Sequence, residues 1–361
     1  MKDPFPIPPP AFLVRITTPL AAKLDLPTFP LHIHELLLAT AFYTLLAAYV
    51  SPRLSAYLFP RIYPTLPRRT RINWDVHVVA LVQSLIVDAL ALWLICADPH
   101  RNDRTVWERV WGYSGAGGLT QALAAGYFVW DLWTCTRYVK LFGPGMLAHA
   151  VTALAVFSLG FRPFVNHYCP TFVLYELSSP FLNIHWFLDK CGMTGTRLQL
   201  YNGLLLLGTF FGARLLWGTY QSLRVYQDVW AAIHFDSADP NMDHAVMVQG
   251  WRNGTVGKDA DMRFVTGDSV PAWLAGVYLG SNVVLNSLNY YWFGAMVRAV
   301  RKRFEPKKKE EADGEADEKP VVEGVELEIP DGDLDWTQAH RETGVDVLEV
   351  KRTEVKRRNV G

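Results

Sequence analysis

Apolar residues along this chain fall into blocks of about 16 to 25 residues with few charges, the length a helix needs to cross a hydrocarbon core of about 30 Å. The core of a soluble domain does not require blocks of this kind. The pattern therefore predicts an all-α polytopic membrane protein with about seven transmembrane helices. The predicted spans are residues 32–51, 74–96, 116–135, 145–160, 171–188, 200–222 and 271–297.

Basic residues between the spans predict the orientation of the chain. The loop after the first span holds five arginines, and the segment after the last span begins with Arg298, Arg301, Lys302 and Arg303. Cytoplasmic loops carry an excess of Lys and Arg, so we expect this side to be cytosolic and the N-terminus to be lumenal.

The spans divide the chain into four regions. Residues 1–31 form a lumenal segment, 32–69 the first transmembrane helix and a basic cytosolic loop, 70–300 six further helices with a lumenal loop at 224–270, and 301–361 a disordered charged cytosolic tail. The lumenal loop contains Asn253-Gly254-Thr255, which is either a glycosylation acceptor or a chance tripeptide.

Composition excludes several classes of site. The 361 residues are half hydrophobic and carry no net charge, and the four cysteines lack metal-ligand spacing, although a lone bridge between Cys96 and Cys169 stays open. His32, His34 and Glu35 lack the further histidine of a zinc protease helix. We predict no cofactor, no metal and no nucleic-acid partner, and the sequence leaves the oligomeric state open.

Polar residues inside the spans are the candidates for chemistry, because each costs roughly 2 to 4 kcal/mol at the bilayer centre unless it is paired or hydrated. Asp131 lies near the end of the third span and His149 near the start of the fourth, so both are predicted within a few turns of the cytosolic face. An Asp-His pair would make His149 a general base or a transient acyl acceptor. The alternative is a structural polar pair that joins two helices.

The fifth span carries a polar face of Glu176, Ser179 and Asn183 at i, i+3 and i+7. His185 is about half a turn out of phase, so we expect Asn183 to face the interior instead. Arg214 of the sixth span is predicted at the depth of Glu176, and we expect an ion pair between them.

The seventh span has a matching stripe of Asn282, Asn286 and Asn289. Several helices would thus turn a polar face to one interior, which holds either a lipid-sized cavity or a hydrogen-bonded core. Gly208 with Gly212 and Gly276 with Gly280 form GxxxG motifs, which predict antiparallel packing of the last two spans. The residues predicted to line the cavity are Tyr127, Trp130, Thr152, Glu176, Ser179, Asn183, Arg214, Asn282, Asn286, Asn289 and Tyr290.

Four segments of the chain form a recognisable series: 126–132 (GYFVWDL), His149 with Thr152, 175–183 (YELSSPFLN) and 288–293 (LNYYWF). In this order they resemble the landmarks of the TLC domain, over roughly residues 70 to 300. This domain is shared by ceramide synthases, translocating-chain-associated proteins and the smaller TLC-domain-containing proteins, and the 176–181 segment looks most like the last group.

The resemblance implies a barrel of six helices around a central lipid cavity, in the endoplasmic reticulum or connected membranes, preceded here by one extra helix. In ceramide synthases an adjacent His-His pair and a downstream His-Asp segment carry acyl transfer. Here these positions read Ala148-His149 and Tyr175-Glu176. A mechanism that needs both histidines of the pair does not carry over intact.

The leading functional prediction is a membrane protein that binds a lipid or acyl chain and influences membrane lipid composition or lipid movement. Its expected partners are the bilayer and a membrane lipid or acyl-CoA. One alternative is an acyl-CoA-dependent acyltransferase that uses His149 with Asp131. A second alternative is an escort or receptor for membrane cargo proteins.

Overall fold

The computed structural model describes residues 1–99, 101–234, 262, 264, 270–302, 321–322 and 325–326. Asn253, most of the predicted lumenal loop and most of the predicted charged tail lie outside these residues. In the described part of the chain all regular secondary structure is helical except two two-residue strands, Val321–Val322 and Val325–Glu326, which pair antiparallel.

Ten α-helices, numbered in chain order, make up the described part of the fold. Short 3₁₀ turns at Tyr63–Thr65, Arg101–Asp103, Asn166–Tyr168 and Leu174–Ser178 join some of them. The helices are α1 Ala11–Leu24, α2 Phe29–Leu58, α3 Arg68–Ala97, α4 Val106–Trp111, α5 Gly115–Arg137, α6 Val139–Leu159, α7 Cys169–Val173, α8 Ser179–Lys190, α9 Arg197–Ile233 and α10 Ala272–Lys302.

Among the described residues, α2, α3, α6 and α9 are long and apolar enough to cross a membrane. The other long helices, α5 with 23 residues and α10 with 31, coincide with two further predicted spans. The protein is therefore an all-α polytopic membrane protein, as its hydrophobic pattern predicts.

The predicted fifth span, residues 171–188, is not one continuous helix. It consists of α7, a 3₁₀ turn at Leu174–Ser178 and α8. Pro180 lies in the first turn of α8, where its missing N–H is harmless, but its ring would clash with the carbonyl of residue 176 in a straight helix. The break leaves the carbonyl of Tyr175 free to accept a hydrogen bond from another helix.

Helix α1 lies in the segment predicted to precede the first span. Its apolar side chains at i, i+4, i+8 and i+12 are all at least half exposed: Phe12, Ile16, Leu20 and Leu24. A stripe of this kind suits contact with surrounding hydrocarbon rather than with the interior of the bundle.

Small residues of α5 allow α2 to pack very closely against it. A Cβ atom added at Gly126 would lie 2.6 Å from the Leu36 carbonyl oxygen and 2.7 Å from the Ala39 Cβ. Ala122 and Ala125 of the same helix are fully buried. These residues set the distance between the two helices.

The two GxxxG motifs do not pack as predicted. A Cβ atom added at Gly208, Gly212, Gly276 or Gly280 would meet no atom within 4 Å among the described residues. The prediction that these glycines bring α9 and α10 together is wrong. The two helices contact each other through other side chains, both polar pairs and the rings of Phe210 and Phe293.

All four cysteines are free, so the possible bridge between Cys96 and Cys169 is absent. His32 is buried, and its ring nitrogens lie 2.7 Å from Glu35 Oε2 and 2.6 Å from the Tyr113 hydroxyl. Asp3 also approaches His32, at 3.7 Å. This cluster fastens the N-terminal segment to the ends of α2 and α5.

Candidate functional site

Two adjacent cavities lie inside the helix bundle. The first, of about 50 Å³, is lined by Arg214 and is called the Arg214 cavity; the second, of about 70 Å³, is lined by Asp131 and is called the Asp131 cavity. His149 and Glu176 line both. These two side chains therefore mark the junction at which the cavities meet.

The Asp131 cavity collects side chains from α3, α5, α6 and α8. Asp131 and Tyr127 reach it from α5, His149 from α6, and Ser179 and Asn183 from α8. Five residues predicted from separate segments are thus brought to one place. Whether Asp131 pairs directly with His149 stays a prediction.

Local structure positions the two candidate catalytic groups, His149 and Asp131. His149 follows a break in α6 at Gly143, whose φ of 80° is in the left-handed region that glycine tolerates best. Its ring lies 5.7 Å from that of Trp292 and 6.3 Å from that of Phe128. Asp131 accepts a weak hydrogen bond from the Cys135 thiol one turn later.

His77 forms a further polar part of this cavity. Its Nδ1 atom is 2.6 Å from the Asn183 side-chain oxygen, and its ring stacks on Trp186 at 4.2 Å. Asn183 faces the interior, whereas His185 packs beside Gly203 of α9, as the helical phase predicts. His77 therefore joins α3 to α8 at the cavity wall.

In the Arg214 cavity, Arg214 joins α9 to the 3₁₀ turn at Leu174–Ser178, to the start of α8 and to α10. It donates to the Tyr175 carbonyl at 2.7 Å, to the Ser178 and Ser179 hydroxyls at 3.0 Å each, and to Asn289 at 3.3 Å. These bonds use the carbonyl exposed by the helix break before α8. Glu176 lines the same cavity, and its predicted ion pair with Arg214 stays a prediction.

The asparagine stripe of α10 faces inward as predicted. Asn282 and Asn289 line the Arg214 cavity, while Asn286 lies behind it. Asn286 accepts from the Tyr175 hydroxyl at 3.0 Å and donates to Ser222 at 3.0 Å and to Asn282 at 2.9 Å. The stripe therefore serves both as cavity wall and as hydrogen-bonded contact between helices.

Two further polar residues of α3, Gln83 and Asp88, are buried inside the bundle. Gln83 lines the Arg214 cavity, is 1% exposed, and has no hydrogen-bond partner for its amide among the described residues. The Asp88 carboxylate is also buried without a hydrogen bond in the described structure. Sequence analysis did not select Gln83, although a lone amide inside an apolar span was the signal that could have identified it.

Three residues predicted to line the cavity lie elsewhere. Tyr290 is 52% exposed and its hydroxyl is 2.9 Å from that of Thr219, because it projects from the outer face of α10. Trp130 is buried in an apolar cluster against Tyr127. The hydroxyl of Thr152 bonds to carbonyls of its own helix at Ala148 and His149.

The fold and this polar interior define a multispanning α-helical membrane protein with ionisable side chains gathered inside its bundle. The family model of the TLC domain matches residues 73–298. The chain belongs to the TLC-domain family.

Relatives of the chain support the same assignment. It is 34% identical over 300 residues to an uncharacterized TLC domain-containing protein of Schizosaccharomyces pombe, covering 83% of this chain and 89% of that protein. It is 28% identical over 281 residues to topoisomerase I damage affected protein 4 of Saccharomyces cerevisiae, covering 76% and 86%. With human TLC domain-containing protein 4 the identity is 29% over 176 residues, covering 48% and 65%.

None of these three relatives is named a ceramide synthase. The prediction that the chain is most like the smaller TLC-domain-containing proteins is confirmed. No solved structure matches the chain.

Proposed function

We propose that this protein binds a membrane lipid or a fatty-acyl chain inside its helix bundle and thereby influences membrane lipid composition or lipid movement. The observation that carries this proposal is the convergence of polar side chains from α3, α5, α6, α8, α9 and α10 on two adjacent cavities. Polar groups in membrane helices are costly and commonly mark a ligand pathway.

The walls of the Arg214 cavity also favour an acyl chain. Phe128, Phe157, Val87 and Val173 supply apolar surface beside the polar groups. A water molecule needs roughly 10–15 Å³ of cavity volume, so each cavity holds only a few waters. Binding of a whole lipid therefore requires the helices to separate further, with the broken segment between α7 and α8 as the natural point of movement.

The proposal includes a location and an orientation. We place the protein in the endoplasmic reticulum, with the N-terminus lumenal and the tail cytosolic. The arginines around the junction of α2 and α3 and the basic end of α10 support this orientation through the excess of Lys and Arg on the cytoplasmic side of membrane proteins. A glycosylation acceptor introduced into the 61–66 loop should stay unmodified in a eukaryotic host.

Filling the cavity should remove a bound lipid. Ala153 lines the Arg214 cavity and is 3% exposed, so Ala153→Phe should occupy the space of the ligand. Overpacking costs about 1–3 kcal/mol, and we expect lipid that co-purifies with the protein to fall about fivefold or more. Mass spectrometry of lipid per mole of purified protein measures the change.

Val151→Phe is the matched control for this experiment. Val151 lies two residues earlier in the same helix and is 49% exposed, so the added ring enters the surroundings rather than the cavity. Equal loss of lipid in both variants, or no loss in a folded Ala153→Phe protein, would contradict binding at this site.

A second candidate function is acyl transfer, favoured by the placement of His149 in both cavities and of Asp131 in one of them. His149 would take the proton from an amine or hydroxyl acceptor, while the acyl carbon passes from the sulfur of acyl-CoA to that acceptor and releases free CoA. This reaction needs only one histidine as base.

Labelled acyl-CoA with amine or lysolipid acceptors tests the reaction. If the protein is an acyltransferase, His149→Ala should lower turnover by about 10²-fold or more, the usual contribution of a general base. Thr152→Ala, one turn further along α6, should retain turnover. Absence of any acylated product from the wild-type protein would leave lipid binding as the function.

A further inference from the structure

A third cavity lies apart from the two in the bundle interior. It has a volume of about 310 Å³ and lies where the end of α3, helices α4 and α7, and the 3₁₀ turns before α4 and α7 face α9. Arg101, Arg109, Arg224, His167 and Thr171 supply its polar wall. None of these residues lines the Arg214 or Asp131 cavity.

Positive charge exceeds negative charge around this third cavity. Arg109 binds Asp228 through two hydrogen bonds of 2.6 and 2.7 Å. Neighbouring Arg104 binds Asp98 at 2.7 Å. These two carboxylates are therefore already occupied by two of the four arginines in this region.

Neither of the other two arginines, Arg101 and Arg224, pairs with a carboxylate among the residues that the structure describes. Arg101 donates to neutral acceptors, the His167 carbonyl at 2.9 Å and the Thr171 hydroxyl at 2.8 Å. Arg224 forms no hydrogen bond or ion pair with any other residue that the structure describes. Both guanidinium groups can therefore donate to a ligand in the cavity.

Burial and the clustered arginines lower the pKa values of Arg101 and His167. Burial and the nearby Arg104 lower the pKa of Arg101 to about 10. Burial and four surrounding arginines also hold the pKa of His167 far below its ordinary value. His167 is thus neutral, and its Nδ1 accepts a hydrogen bond of 3.0 Å from Arg104. A bound anion would relieve the repulsion among the guanidinium groups.

We propose that the third cavity binds a phosphate group, held by Arg101 and Arg224. Planar guanidinium groups bind phosphate oxygens through paired, charge-assisted hydrogen bonds. The Thr171 hydroxyl and the Gln221 amide, which also line the cavity, can bond to further phosphate oxygens.

The apolar rim favours the headgroup of a phospholipid as the source of this phosphate. Ile95 of α3 and Trp217 of α9 line the cavity beside the arginines. Leu92, one turn before Ile95, and Leu216, next to Trp217, are exposed apolar side chains. Acyl chains of a lipid held by its phosphate could lie against these outward surfaces.

Binding of three probes to the purified full-length protein tests this site. The probes are short-chain phosphatidic acid, inorganic phosphate and the matching uncharged diacylglycerol, each followed by the change in tryptophan fluorescence and by native mass spectrometry. We expect phosphatidic acid to bind saturably, and Arg224→Gln or Arg101→Gln to weaken it about tenfold or more. Arg224 makes no hydrogen bond in the described structure, so its replacement should leave the fold intact.

Arg197→Gln is the control, because Arg197 is an exposed arginine on the same helix. Inorganic phosphate that binds as tightly as phosphatidic acid, with the same dependence on Arg224, would support phosphate recognition but assign it to a soluble ligand. Equal binding of diacylglycerol, or binding unaffected by both cavity variants, would overturn the proposal. Either result leaves lipid binding in the bundle interior untouched, because the two regions share no lining residue.

Discussion

Gly126→Val will destabilise the bundle by about 3 kcal/mol or more, the upper range for overpacking. A Cβ at this position would lie 2.6 Å from the Leu36 carbonyl oxygen, and backbone atoms of α2 cannot rotate away as a flexible side chain could. The two helices must therefore separate, which also weakens the packing of Ala39. Thermal unfolding of the protein in detergent measures the loss.

Gly212→Val is the control, because it adds the same side chain in another long helix. A Cβ atom at Gly212 meets no described atom within 4 Å, so we expect its unfolding temperature to stay within a few degrees of wild type, the scale of about 1 kcal/mol. If both variants unfold alike, or if Gly212→Val is the less stable, close contact of α2 and α5 at Gly126 does not control stability.

The comparison of Gly126 with Gly212 shows why the sequence alone predicted the wrong helix contact. A GxxxG motif removes side-chain bulk, but it does not state which neighbour approaches. Gly208 and Gly212 remove bulk on an outer face of α9, whereas Gly126 removes bulk where α2 passes. Only the three-dimensional arrangement of the helices distinguishes the two cases.

The sequence predicts more reliably which polar residues face the interior. Asn183, Asn282 and Asn289 lie at the cavity walls because a membrane helix turns its costly polar groups inward. Tyr290 was expected to face the interior but lies on the outer face of α10. Its apolar ring is tolerated there, and its hydroxyl hydrogen-bonds to Thr219. Helical phase therefore predicts most reliably the orientation of side chains that lack a large apolar surface.

Local backbone breaks are the other limit of prediction from sequence. Pro180 signals a kink, but the sequence does not show that the preceding turn tightens into 3₁₀ geometry and presents Tyr175 to α9. That detail connects Arg214 to the polar wall of the cavity. The same 3₁₀ turn allows Tyr175, Ser178 and Ser179 of the predicted fifth span to accept hydrogen bonds from Arg214.

Arg214→Met will also cause a large loss of stability, about 3–5 kcal/mol, because each buried acceptor left without its donor costs about 1–3 kcal/mol. Arg214 is 2% exposed and donates to Tyr175, Ser178, Ser179 and Asn289. Methionine fills similar space but leaves these acceptors without their donor. It also removes the positive charge that interacts with the Asp88 carboxylate.

Arg214→Lys separates the loss of the hydrogen bonds from the loss of the positive charge. Lysine keeps the charge, but its single ammonium group cannot reach acceptors on the turn before α8 and on α10 together, so the variant should unfold between Arg214→Met and wild type. Arg197→Met, at the exposed start of α9, should unfold at nearly the wild-type temperature. If Arg214→Met matches that surface variant, the hydrogen bonds of Arg214 do not hold α8, α9 and α10 together, and the cavity wall must be stabilised by the asparagine stripe and apolar packing.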